Sequence, residues 1–176
     1  MFESVRSSLV QEVPPISEPQ SSESEFLAEA YLLFQAITHF TVEVQYESPL
    51  LQQTGPMKGI GKVLVQTENS ATVIFEEQGK WDLSSVLFSN KYQWVFDCRE
   101  RVIRLSHLRF GLSHPEQLGE FKLTSQGQFK LQCPYLCEKD TYESILNVDL
   151  KSRMIHLKWK VTKPKNSYHL TTVYRI

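Results

Sequence analysis

Short strands recur along this chain from about Gly59 to Ile176, and this rhythm constrains the fold more than any other feature. Runs of alternating apolar and polar residues follow one another roughly every ten positions. Turn-like pairs separate them, namely Glu68-Asn69, Gln78-Gly79 and Gln126-Gly127. Such a rhythm is typical of an antiparallel sandwich or barrel, not of alternating strands and helices. We predict a mainly β protein, an antiparallel barrel of about 8–10 strands, because closure leaves no unpaired edge.

A single helix precedes these strands. Apolar residues between positions 22 and 39 recur at intervals of three and four, as on the buried face of a helix, namely at Phe26, Ala30, Leu33, Phe34 and Ile37. We predict that this helix covers or plugs one end of the barrel. Residues 22–176 then form one domain, with the helix at 22–39 and the barrel at 41–176. Residues 1–21 are polar, acidic and proline-bearing, which predicts a disordered lead with too little apolar surface to offset the cost of ordering.

Turn-like composition divides the middle of the predicted barrel. Ser89-Asn90-Lys91 resembles a turn, so we place one strand at 81–88 and the next at 92–97. We expect residues 111–119 to form a longer loop. Alternate residues of a strand share a face, so Tyr92, Trp94 and Phe96 are predicted to point the same way.

Composition narrows the class of partner. The 176 residues carry a formal net charge of −1, whereas a dedicated nucleic-acid binder usually has a marked basic excess, so we expect no nucleic-acid partner. No apolar run reaches the roughly 20 residues that a membrane-spanning helix needs, and the N-terminus lacks the apolar core of a secretory signal. The three cysteines do not form a disulfide framework. Together these features predict a cytoplasmic protein and leave its oligomeric state open.

Reactive side chains do not form a recognisable catalytic or metal-binding motif. Glu76 and Glu77 are adjacent on a predicted strand, so their carboxylates point to opposite faces and do not easily share a site. Cys133 and Cys137 have a spacing that zinc allows, but no second pair of ligands accompanies them. The chain also lacks a nucleophile elbow, a phosphate-binding loop and a dinucleotide fingerprint. We therefore predict no catalytic residue, no bound metal and no cofactor.

Aromatic residues on different strands are the more informative signal. They can converge inside a barrel, where they either fill the interior or line a space for one small ligand, and they are Trp81, Tyr92, Trp94, Phe96, Tyr142 and Trp159. The basic strand around Lys158 and Lys160 places its lysines and Trp159 on opposite faces, so it does not form a stacking platform for single-stranded nucleic acid. The sequence leaves both a filled and a hollow interior open.

Four elements of the sequence occur in the order of a known family. They are the stretch 75–81, the strand Tyr92-Gln93-Trp94-Val95-Phe96, the segment 135–142 with Cys137, Asp140 and Tyr142, and the closing Trp159-Lys160-Val161 with Pro164, Lys165 and Tyr168. With them the chain, from about Leu32 to Ile176, resembles a domain-of-unknown-function family of small lipocalin-like, calycin-type barrels. It departs from the family pattern at Asn90, Tyr135 and Lys163, where the pattern has arginine, histidine and glycine. The resemblance implies the barrel fold and no particular activity.

Three functions are compatible with such a barrel. The first is a non-catalytic barrel that binds a small apolar ligand in its interior, with predicted lining residues Glu77, Tyr92, Trp94, His107, Asp140, Tyr142 and Trp159. The second is a protein-interaction module with a filled barrel, which binds a protein partner through the acidic lead or the basic face of residues 154–161. The third is an enzyme with a carboxylate and His107 in the barrel mouth. We favour the first of these functions.

Overall fold

A computed structural model describes residues 20–48, 55–124 and 128–176, with side chains from residue 23 onward. These residues contain one helix, α1 (Gln20–Ala36), and eleven strands. The strands are β1 (His39–Tyr46), β2 (Met57–Asn69), β3 (Thr72–Trp81), β4 (Leu87–Asp97), β5 (Val102–His107), β6 (Glu116–Leu123), β7 (Phe129–Leu131), β8 (Tyr135–Cys137), β9 (Asp140–Asp149), β10 (Met154–Thr162) and β11 (Tyr168–Arg175).

Ten of the strands close into an antiparallel barrel. Their order around it is β10, β11, β1, β2, β3, β4, β5, β6, β7 and β9, and β9 pairs again with β10. The closing pair is long, since it extends from Met154 opposite Asp149 to Thr162 opposite Thr141. The short strand β8, which was not predicted, pairs with the first residues of β9. The predicted fold class, a mainly β antiparallel barrel preceded by one helix, is confirmed.

The helix α1 closes one end of the barrel. Its Phe34 is fully buried, and the Phe34 ring lies 5.6, 5.1 and 5.0 Å from the rings of Phe75, Trp94 and Phe96. Four residues of the predicted apolar stripe are buried, Phe26 is partly buried, and the fully buried Leu27 lies on the same face. The helix is therefore held in place by burial of its apolar face against the side chains of the barrel interior.

The helix ends three residues earlier than predicted because the chain joins the sheet at that point. The Thr38 amide donates a hydrogen bond to the Arg175 carbonyl at 2.9 Å, and the Val63 amide donates to the Thr38 carbonyl at 2.8 Å. His39, predicted as the last helical residue, instead begins β1. Residues 1–19 of the predicted lead lie outside the described residues, and positions 20 and 21 belong to α1.

The predicted division of β3 and β4 is wrong. Strand β3 continues through Gln78 and Gly79, and positions 89–91 lie in the middle of β4 rather than in a turn. Gly79 serves close packing, because a side chain there would overlap the rings of Phe88 and Phe40. The actual turn lies at positions 82–84. Local composition does not reveal such a contact between distant rings and a glycine, so the pattern misplaced the turn.

Side chains fill the half of the barrel that adjoins α1. Fully buried residues from several strands meet there, including Trp94, Ile103, Phe121, Phe129 and Leu146. The Trp94 Nε1 atom is also buried and has no hydrogen-bond partner among the described residues. The interior is thus solid near the helix, and space for another molecule has to be sought toward the opposite end.

Candidate functional site

A cavity of about 220 Å³ lies at the barrel end opposite α1, where β6, β9 and β11 begin and β5 and β10 end. Rings form most of its wall, and they belong to Tyr92, His107, Tyr135, Tyr142, Trp159 and Tyr168. The aliphatic part of the wall consists of Leu118, Val161 and Leu170. Such a mostly apolar concavity with a few polar groups has the general character of a small-molecule site.

Strand alternation and register bring these rings together. On β4, Tyr92 points inward together with Trp94, and it pairs with His107 of β5, so the two rings stack with centroids 5.1 Å apart. On the facing wall, Val161 of β10 pairs with Tyr142 of β9 and with Tyr168 of β11. Neighbouring strands therefore each contribute one inward residue at the same level of the barrel.

The charged groups at the cavity mouth are paired with each other. The Glu116 carboxylate accepts a hydrogen bond of 2.5 Å from the Tyr135 hydroxyl, and its other oxygen lies 3.2 Å from Nε of Arg109. Close to these groups, Lys163 Nζ lies 2.8 Å from an oxygen of Asp140. The mouth thus contains two neutralised pairs, and neither leaves a free charge directed into the cavity.

The titratable rings of the wall are held in their neutral forms. Burial lowers the pKa of His107 below its usual 6.5, which favours the uncharged imidazole at neutral pH. Burial raises the pKa of Tyr142 and Tyr168 above the usual 10, and it raises that of Tyr92 as well, with the nearby Glu77 carboxylate contributing. Together with the paired mouth, this makes the cavity an electrically neutral environment.

The structure brings four of the seven predicted lining residues together in this cavity. Tyr92, His107, Tyr142 and Trp159 are in its wall. Asp140 is not in the wall, but it is paired with the lining residue Cys137 across β8 and β9 and forms an ion pair with Lys163. The other two lie elsewhere: Trp94 is packed in the filled half of the barrel, and Glu77 is buried in the wall of β3.

Glu77 forms a buried polar cluster of its own. The Tyr174 hydroxyl donates a hydrogen bond of 2.6 Å to one carboxylate oxygen, and Asn90 Nδ2 donates one of 3.1 Å to the other. Burial raises the pKa of Glu77, while these two donors act in the opposite direction. Both oxygens of this carboxylate accept hydrogen bonds from the protein, so Glu77 stabilises the barrel interior and is not part of the cavity wall.

Sequence reasoning missed five polar or aromatic residues of the cavity as site residues, namely Arg109, Glu116, Tyr135, Cys137 and Tyr168. Glu116 falls in the predicted loop at 111–119, and Tyr135 belongs to a strand of only three residues, so neither showed a usable pattern. Tyr168 was detectable. It alternates with Leu170 and with the buried Tyr174 on the inward face of the last strand, and that period of two was visible in the sequence.

Three other observations concern the described part of the chain. A groove of about 750 Å³ lies on the outer face of β1 to β4, where Ile60 and Leu87 are exposed beside Lys62 and Lys80. Within the described ranges, no three His, Cys, Asp or Glu side chains come together as metal ligands. In the same ranges no helix is both long and apolar enough to cross a membrane.

Comparison with known proteins identifies a family and a fold. A family model described as "Family of unknown function (DUF6314)" matches residues 37–176. No curated protein sequence matches the chain. Among solved structures, the S-type phycobiliprotein lyase CPES from Guillardia theta superposes with a TM-score of 0.56 at 8% identity, over 90% of this chain and 97% of that one. At such identity the likeness shows the fold alone.

A second solved structure, EF1p2_mFAP2b bound to DFHBI, aligns over 85% of this chain and 99% of that one, with a TM-score of 0.45 and 9% identity. The family match confirms the resemblance to an unknown-function family that the four sequence elements indicated. The activity is therefore to be sought in the geometry of the barrel.

Proposed function

The chain belongs to the family of unknown function DUF6314, and from that premise we propose that its barrel is a non-catalytic binding protein for one small, mostly apolar molecule held in the end cavity. The observation that carries this proposal is the contrast between the two barrel ends. One end is closed by α1 and filled with side chains, whereas the other has a ring-lined space of about 220 Å³.

Hydrophobic burial supplies the driving force in this proposal. A ligand in the cavity covers the rings of Tyr142, Trp159 and Tyr168, which are otherwise partly accessible or border empty space. Each Å² of apolar surface removed from water contributes roughly 25 cal/mol. The helix belongs to the same unit, because it closes the far end of the interior. For that reason we also propose that residues 22–176 form a single domain.

A protein-interaction module remains the second candidate, and one observation favours it. Ile60, Leu64 and Leu87 are more than half exposed on the outer face of β2 and β4, and grouped exposed apolar residues often mark a contact surface. This candidate predicts that Ile60→Asp abolishes binding to a protein partner without affecting small-molecule binding. The partly empty interior favours the ligand-binding proposal over it.

The enzyme hypothesis has less support from the site. Glu116 faces His107 in the register of β5 and β6, but both Glu116 oxygens are engaged by Tyr135 and Arg109. His107 has no hydrogen-bond partner among the described residues. Because Glu116 is already bound by Tyr135 and Arg109, it does not form an acid–base pair with His107, and we propose that His107 contributes to binding.

Native mass spectrometry of the purified protein tests the proposal. Leu170→Trp places a large side chain in the cavity, and Leu64→Trp places the same side chain on the outer surface as a matched control. We expect one small molecule per chain in the wild type and in Leu64→Trp, and its loss in Leu170→Trp. A bare mass in the wild type, or an adduct that Leu170→Trp retains, would contradict the proposal.

A further inference from the structure

We infer that the ligand of the end cavity is an uncharged, planar ring compound with one polar group at its edge, about the size of two fused six-membered rings. This inference rests on the proposed function and names the chemical class that the site selects. Four properties of the cavity lead to it: its rings, its charge balance, its unpaired polar groups and its volume.

The rings of the wall stand at different angles around one space. Trp159 is almost perpendicular to Tyr142, at 81° and 6.4 Å between ring centroids. Tyr135 is tilted from Tyr142 by 59° at 5.6 Å. Aromatic rings attract one another in offset-stacked and edge-to-face arrangements, with about 0.5–1.5 kcal/mol per pair beyond the area that they bury. A flat aromatic ligand among these side chains can stack on one ring and meet another edge to face. A puckered, saturated ring makes neither of these aromatic interactions.

The charge balance of the cavity disfavours ions of either sign. Its charged lining residues are Arg109 and Glu116, which are bound to each other, and Tyr135 engages Glu116 as well. At the rim, Lys163 and Asp140 neutralise each other. An anionic or cationic ligand has to break one of these pairs or remain an unpaired charge against a mostly apolar wall, and both are unfavourable. A neutral ligand leaves both pairs intact.

Unpaired polar groups in the wall specify a polar edge on the ligand. Within the described ranges, the hydroxyls of Tyr142 and Tyr168 and the ring nitrogens of His107 have no hydrogen-bond partner. These groups remain neutral, since burial shifts the pKa of each away from neutral pH. A hydroxyl or carbonyl on the ligand satisfies one or two of them, and a site built in this way discriminates against an analogue that lacks the group.

The volume of the cavity limits the size of the ligand. At the packing density of protein interiors, about three quarters of a space is filled by atoms. The 220 Å³ cavity then accommodates on the order of ten to twelve non-hydrogen atoms by the same density argument. Two fused six-membered rings with one substituent meet this limit. A long fatty chain or a large polycyclic compound exceeds it and would extend out of the open mouth into water.

A matched series of bicyclic probes tests the inference by isothermal titration calorimetry at pH 7.5. The series consists of 2-naphthol, naphthalene, decahydro-2-naphthol, 2-naphthoate and 2-naphthylmethylammonium, which differ in polar group, planarity or charge. We expect 2-naphthol to bind most tightly, and each other probe to bind at least about tenfold more weakly, equivalent to about 1.4 kcal/mol. We also expect Leu170→Trp to abolish binding of 2-naphthol.

Removal of the two free hydroxyls tests the polar edge separately. In the double variant Tyr142→Phe/Tyr168→Phe, the preference for 2-naphthol over naphthalene should fall to less than threefold. Tyr31→Phe is the matched control, because Tyr31 lies at the helical end and its hydroxyl bonds to the Asn69 carbonyl. It should retain the full preference.

The outcomes separate the inference from the proposed function. If the charged or saturated probes bind as tightly as 2-naphthol and Leu170→Trp blocks them, the ligand class is wrong while the cavity remains a binding site. A preference that survives loss of both hydroxyls overturns the polar-edge part of the inference. If no probe binds, or if Leu170→Trp has no effect on those that do, the inference falls, and native mass spectrometry of wild type and Leu170→Trp decides separately whether the cavity holds another small molecule.

Discussion

Tyr174→Phe removes one hydroxyl from the buried cluster around Glu77 and leaves the shape of the interior almost unchanged. The Tyr174 side chain is 1% exposed and Glu77 is 3% exposed, and the hydrogen bond between them is 2.6 Å long. A hydrogen bond to a charged group contributes about 1.5–3 kcal/mol. We therefore expect Tyr174→Phe to lower the free energy of unfolding by about 2 kcal/mol when the Glu77 carboxylate is ionised.

The effect of Tyr174→Phe should depend on pH in a defined direction. Burial places the pKa of Glu77 in the folded protein above its usual 4.5. The stability that this group contributes is therefore present below pH 4.5 and is lost as pH rises through the folded pKa. The Tyr174 donor favours the ionised carboxylate, so its loss raises that pKa further. The destabilisation should grow from about 1 kcal/mol at pH 4.5 to about 2 kcal/mol at a pH above the folded pKa of Glu77.

Urea unfolding at these two pH values measures this effect. The slope of the unfolding free energy against urea concentration should be the same in the variant and in wild type, which shows that both unfold from equally compact folded states. Tyr31→Phe is the control, because it removes an exposed hydroxyl that donates to a neutral carbonyl at 2.9 Å. Its cost should be at most about 1 kcal/mol and independent of pH. The reasoning is refuted if Tyr174→Phe matches Tyr31→Phe in size, or if its cost does not change with pH.

Three further changes test other parts of the structure. Gly61→Ala should cost roughly 1–3 kcal/mol in urea unfolding, because the new methyl group would overlap the Gln78 carbonyl and the Phe40 ring; a cost below about 0.5 kcal/mol would contradict this packing. Trp94→Phe should cost less than about 3 kcal/mol in the same assay, because the void left by the lost indole atoms destabilises the core while the removed N–H has no described partner; a larger loss would contradict this. His107 should stabilise the fold less as pH drops below 6.5, because burial lowers its pKa in the folded protein. The stability of wild type relative to His107→Phe should therefore fall over this range, and parallel pH curves of the two proteins would contradict this.

The fold was predictable from the sequence because most of its strands carry a local signal. The alternation in β9 and β10 gave both strands to within a residue or two, since one face of each is buried and the other is exposed. The helix stripe was equally visible. The turn after β3 was not, because Gly79 looks like a turn residue and in fact lies beneath the rings of two distant phenylalanines.

The candidate site was predictable only in part, for a related reason. Inward-facing aromatic residues such as Tyr92 and Trp159 follow from alternation, so they could be named from the sequence. The mouth depends on contacts between loops and strand ends, such as that of Tyr135 with Glu116 across 19 positions of the chain. Glu77 was named as an inward carboxylate, but only the register of β3 with its neighbours shows that Asn90 and Tyr174 engage it.

The most direct test of the end cavity as a ligand site is a nuclear magnetic resonance titration of the labelled protein with 2-naphthol, followed through backbone and aromatic side-chain signals. We predict that shifts concentrate at Tyr142, Trp159 and Tyr168 and saturate at one ligand per chain, with Phe34 at the helical end unaffected. Shifts confined to the outer groove around Ile60 and Leu87, or no saturable shift at all, would contradict the account.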